Sequence, residues 1–151
     1  MKERATLSHP AARATASTPS ADSSLAGSFN ESHYGDCFMR FLPKERFTSP
    51  LSTYLEMTKS APEWVVRLLA FRDMLARWVG MTPTRGFKSR EQPPTSVVAG
   101  DVLDFFQVVS SDGDKVLLSL DDKHFKVMVE VLLISQTRSQ AVYRTSTVNP
   151  H

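Results

Sequence analysis

Large apolar residues are unevenly spread along the chain. Up to about residue 30 they are isolated (Leu7, Leu25 and Phe29) in a background of Ala, Ser, Thr and Pro. Such a stretch buries too little apolar surface to offset its ordering entropy, so the pattern predicts a disordered tail over residues 1–32. From residue 33 to 151 apolar residues recur with helix or strand period, as expected for one folded domain.

The first ordered run, Asp36-Cys37-Phe38-Met39-Arg40-Phe41-Leu42, is aromatic-rich, partly apolar on both faces and stopped by Pro43, which predicts a strand. Ser49-Pro50 then reads as an N-cap with proline in the first helical position, and Leu51, Tyr54 and Leu55 follow at helical spacing. A second helix start is written in Ser60-Ala61-Pro62-Glu63, a capping box in which the serine oxygen accepts from the backbone and Glu63 reaches back. Behind it Trp64, Val65, Leu68, Phe71, Leu75, Trp78 and Val79 form a broad apolar stripe, with Asp73 and Arg77 as an i,i+4 pair on the other side. Gly80 and Pro83 mark its end. Residues 81–96, with Pro83, Gly86, Pro93 and Pro94 among charges, read as a long surface connection.

Beyond that connection the period changes to that of strands. Residues 102–109 predict one strand, Asp112-Gly113 a hairpin turn and residues 115–120 a second strand. Asp121-Asp122 turns the chain again. In the next strand Phe125, Val127, Val129, Val131 and Leu133 take one face and His124, Lys126, Met128, Glu130 and Leu132 the other. Residues 136–140 turn, and residues 141–148 form the last strand. One strand, two helices and a meander of at least four antiparallel strands make an α+β fold.

Composition removes some function classes and adds none. The net charge of +2 is small, and basic residues lie beside acids, as in Lys44-Glu45-Arg46, so no nucleic-acid stripe is expected. No apolar run reaches the roughly 18 residues of a membrane span, and no apolar core follows the basic N-terminus as in a secretory signal. Cys37 is the single cysteine, which excludes an intrachain disulfide and agrees with a reducing, cytoplasmic setting. In an apolar strand it reads as a small buried hydrophobe. His9, His33, His124 and His151 show no zinc-ligand spacing, and no phosphate-binding glycine loop or nucleophile elbow occurs, so neither metal nor cofactor is expected.

Asp121-Asp122-Lys123-His124 reads first as a polar turn whose aspartates bond backbone amides. Its functional reading makes His124, or Asp122, the acid or base at the mouth of a cavity. At helical spacing Trp64, Phe71 and Trp78 are core residues before they are ligand contacts.

The block Ser60-Ala61-Pro62-Glu63-Trp64-Val65-Val66-Arg67-Leu68-Leu69, continued by Phe71-Arg72-Asp73-Met74-Leu75 and Val79-Gly80-Met81, resembles the signature helix of the family DUF2867. Tyr34-Gly35-Asp36-Cys37-Phe38 and Leu118-Ser119-Leu120-Asp121-Asp122-Lys123-His124 match it as well, so the likeness covers residues 33–151. The resemblance implies a helix-grip, START-like (SRPBCC) fold, a curved antiparallel sheet around a long C-terminal helix with an apolar cavity between them. It implies no established activity. In this resemblance the segment ending at Asn149-Pro150-His151 would be followed by that helix, so the expectation is a domain without it. The uncovered sheet face would then be a self-association surface.

The expected function is non-enzymatic binding of an apolar or amphipathic small molecule, with Trp64, Phe106, Leu118, Met128 and Tyr143 as lining residues. One alternative is a START-like cyclase or hydratase using His124 or Asp122. Another is an interaction module completed by a partner or by its own dimer.

Overall fold

Alternation along a single strand organises the molecule. In the computed structural model, which describes residues 13–30, 35–43, 48–78, 91–121, 126–136 and 140–148, strand β6 runs over Lys126–Gln136. Val129, Val131 and Leu133 join a cluster on one side of the sheet, and Met128 joins another on the opposite side. A strand that packs on both faces must lie inside a sheet, and β6 does. Its neighbours are β5 (Lys115–Asp121) and β7 (Gln140–Val148), both antiparallel to it.

The full sheet has seven strands in the order β1-β2-β7-β6-β5-β4-β3. From β3 (Val102–Leu103) through β4 (Phe106–Ser111) to β7 it is a simple meander. The long strand β2 (Gly35–Pro43) then lies against β7, from Gly35 opposite Val148 to Pro43 opposite Gln140. A short β1 (Thr15–Ala16) completes the edge. The α+β layout expected from the pattern is therefore present: a strand, helices, and consecutive antiparallel strands.

Local chemistry explains the boundaries. Ser49 opens α2 (Pro50–Lys59): its side chain accepts from the Ser52 amide while the Ser52 hydroxyl accepts from the Ser49 amide. Proline in the first helical position fits, because its missing N–H has no helical partner to lose. Ser60, expected to cap the next helix, instead closes α2 with its N–H on the Glu56 carbonyl. Its backbone is right-handed helical, whereas an N-cap needs extended geometry. Helix α3 (Glu63–Trp78) begins three residues later, where Arg67 Nη2 donates to Glu63 Oε2 at 3.2 Å on the exposed side.

The single strand expected over residues 102–109 is divided into β3 and β4. Asp104, with φ of 58°, turns the chain between Leu103 and its partner Phe106. Aspartate tolerates this left-handed backbone better than most residues, and Phe105 pairs its ring with Phe106 at 4.4 Å rather than extending the strand. A shift of register between Val108 and Ser110 then turns Val109 outward. The Asp-Gly connection at residues 112–114 is as expected, with the Asp112 amide on the Lys115 carbonyl at 2.8 Å.

The main core lies between α2 and the middle of the sheet. Leu51 and Tyr54 of α2 pack with Phe106, Val108, Val116, Leu118 and Val131. Helix α3 departs from expectation. Trp64 is 65% exposed and Trp78 88%, and Phe71, Met74 and Leu75 are exposed as well, while Asp73 on the far side is buried. The described members of the stripe are therefore open to solvent. Periodicity identifies the side of a helix suited to burial, not what covers it.

Residues 13–30, within the stretch expected to be disordered, are structured against the sheet. They carry β1, a short α1 (Ala26–Phe29) and Leu25, which is only 2% exposed.

Candidate functional site

Polar groups on two sides of the sheet give it chemical character. On the α2 side, the Tyr54 hydroxyl donates to Asp104 Oδ2 at 2.8 Å, tying the helix to the turn between β3 and β4. Burial pushes the Tyr54 phenol well above its ordinary value, and the charge of Asp104 and the hydrogen bond push it further. This phenol is therefore a donor held in place, not a proton-transfer group near neutrality.

Arg40 lies on the same side of the sheet. It stands two residues before Leu42, which belongs to the α2-side cluster, and strand alternation puts both on one face. Its Nε is buried and has no hydrogen-bond partner among the described residues. In register it faces Tyr143 of β7, which in turn faces Leu133 of β6.

The opposite side holds a buried carboxylate. Glu130 is 1% exposed in the middle of β6. Ser23 Oγ donates to its Oε1 at 2.6 Å, and the Ser24 amide donates to its Oε2 at 2.9 Å. Ser23 Oγ also accepts from the Leu25 amide at 3.1 Å, and Lys115 Nζ donates to Ser24 Oγ at 3.0 Å. Leu25 packs beside them on Leu117, with Phe29 and Met128 around it. The N-terminal segment is thus latched by one apolar plug and one doubly bonded acid.

The five residues expected to line a ligand are not assembled in one place. Phe106 and Leu118 share the α2-side core, where both are buried. Met128 is on the other side, against Leu25 and Leu117. Trp64 is on the exposed stripe of α3. The backbone of Tyr143 is in β7, and its side chain lies outside what is described, as do His124 and Asp122 altogether. Cys37 is buried and unbridged, as a small hydrophobe in a strand should be.

Arg40, Glu130 and the Tyr54–Asp104 pair were not singled out by the sequence. Glu130 had a readable signal, a charge at an apolar position between Val129 and Val131 in a strand buried on both faces. Arg40 had the same signal between Met39 and Phe41. Among the described residues no three metal-ligand side chains converge, and no helix is long and apolar enough to cross a membrane.

Comparison with known families finds a match to the family described as "Protein of unknown function (DUF2867)", over residues 28–151. No curated protein and no solved structure matches the chain. Arg40, Tyr54, Asp104 and Glu130 fall inside the matched span, whereas Ser23, Ser24 and Leu25 precede it.

Proposed function

Starting from a chain that belongs to the DUF2867 family, we propose a binding domain of the START-like, helix-grip kind that holds an apolar or amphipathic small molecule. The observation that carries this reading is the apolar sheet face only partly closed by α2. Leu120, Val129 and Leu133 remain partly exposed beside the core, and Phe38, on the same side of β2 by alternation, is 41% exposed. The order of elements supports it too, since a first strand, two helices and a returning meander are the part of the helix-grip layout that precedes its C-terminal helix. Fold alone is weak warrant for function, so the test is direct. Saturable binding of a member of a lipid and aromatic panel, weakened by Val129→Arg or Leu133→Arg, supports the reading. No saturation with any member rejects it.

One observation favours a second reading, an interaction module that pairs with its own copy. Trp64, Phe71, Leu75 and Trp78 are all exposed along one side of α3. Glu63 and Arg77 are equally far from Ala70 along the helix, so two antiparallel copies bring each copy's Glu63 to the other's Arg77. Light scattering at increasing concentration then gives a dimer that Phe71→Glu converts to a monomer. A wild-type monomer at every concentration rejects this reading.

A further inference from the structure

We infer that Arg40 is the anion anchor of the α2-side face and that the ligand held there is an amphipathic carboxylate. This rests on the ligand-binding reading above and adds the chemistry of the head group.

Among the described residues, the Arg40 Nε is the one buried side-chain nitrogen or oxygen without a hydrogen-bond partner. The other buried polar groups show what satisfaction looks like in this molecule. Glu130 accepts two hydrogen bonds, and the Tyr54 hydroxyl has Asp104. The guanidinium is a cation with five donors in a fixed fork. A buried donor of this kind calls for an acceptor, and a charged donor calls for a negatively charged one.

The surroundings specify the rest of the molecule. On β2, Phe38 and Leu42 flank Arg40 on the same face by strand alternation. Across the sheet, the pairing of Arg40 with Tyr143 and of Tyr143 with Leu133 puts Arg40 and Leu133 in one row two strands apart. That is about 10 Å at the usual strand spacing. Leu133 and Val129 are partly buried at the edge of the apolar cluster. One cation therefore stands at the end of a track that runs from Phe38 and Leu42 of β2 to Leu133 and Val129 of β6. A carboxylate can accept from Nε–H and a neighbouring Nη–H together, while its hydrocarbon tail follows the track towards β6. An inorganic anion would leave the track unused, and a neutral hydrocarbon would leave the arginine unanswered.

The test compares dodecanoate with 1-dodecanol, which share a chain and differ in the head group, each below its aggregation concentration. Binding to the full chain is measured by calorimetry for the wild type, Arg40→Gln and Arg40→Lys. The expected result is a wild-type preference for dodecanoate of about tenfold or more, lost in Arg40→Gln and partly kept in Arg40→Lys. Dodecanol affinity stays within about threefold throughout, as it should if the apolar track is intact. Equal wild-type affinity for the two ligands overturns the inference, as does a carboxylate preference that survives in Arg40→Gln; both outcomes leave the binding reading standing. Failure of the wild type to bind either ligand removes the binding reading and this inference with it.

Discussion

The hydroxyl of Tyr54 shows how much one buried group can control. It is nearly inaccessible, bonds Asp104 across 50 positions of sequence, and carries a strongly raised pKa. In the folded state the phenol keeps its proton at a pH where the unfolded chain has lost it. The stability linked to this group is complete below the unfolded value of 10.0 and is lost as pH rises above it. Denaturation midpoints between neutrality and the alkaline limit should therefore fall above pH 10, with a slope of at most about 1.4 kcal/mol per pH unit. Tyr54→Phe should lose that part of the slope. It should also cost about 1–3 kcal/mol at neutral pH by removing the Tyr54 hydrogen bond to Asp104. An identical alkaline slope in the variant would separate Tyr54 from the effect. Sequence could place Tyr54 on the apolar side of a helix, since it lies three residues from Leu51. It could not supply Asp104, which reaches the site only because the expected long strand breaks at that residue.

At the scale of elements, α2 and α3 contrast in what their apolar residues do. Both carry an apolar stripe, and α3, with 16 residues, is longer than α2, with 10. Yet α2 supplies buried Leu51 and Tyr54 to the core, while α3 leaves Trp64, Phe71 and Trp78 exposed. Trp78→Ala should consequently change stability in urea by no more than about 0.5 kcal/mol, as at other exposed positions. Leu118→Ala, which empties space in the core, should cost about 2–5 kcal/mol. A large loss for Trp78→Ala would mean that its ring is covered in solution, as self-pairing through α3 requires at high concentration. Repeating the measurement at low concentration distinguishes the two cases. The existence of both helices was legible because periodicity, and for α2 also its cap, acts within a few residues. Their unequal burial was not, because it depends on what each stripe meets.

For the whole molecule, the latch between the N-terminal segment and the sheet is the largest departure from the expected outline. Ser23 and Glu130 are separated by 107 positions, and their 2.6 Å bond closes a segment of Ala, Ser and Thr onto a sheet face. Glu130→Ala should cost about 2–4 kcal/mol by leaving the Ser23 hydroxyl and the Ser24 amide without their acceptor. It should also speed native-state proteolysis within residues 13–30, and Leu25→Ala should do the same by removing the plug. Unchanged cleavage in both variants would show that the segment is held by β1 alone. Composition predicted disorder here because it averages over residues, and one leucine with two serines is too small a signal to alter that average. By itself the sequence determined the α+β order of elements, the two-faced strand β6, the Asp-Gly hairpin and the start of α2. These follow from interactions among neighbours, where period, turn chemistry and capping are written directly in the chain. Only the tertiary structure decided that β2 pairs with β7, that Tyr54 meets Asp104, that Glu130 holds the N-terminal segment and that Arg40 stands unanswered on an apolar face. Each of these joins residues far apart in sequence, and their free energies depend on which surfaces meet and on how completely water is excluded between them.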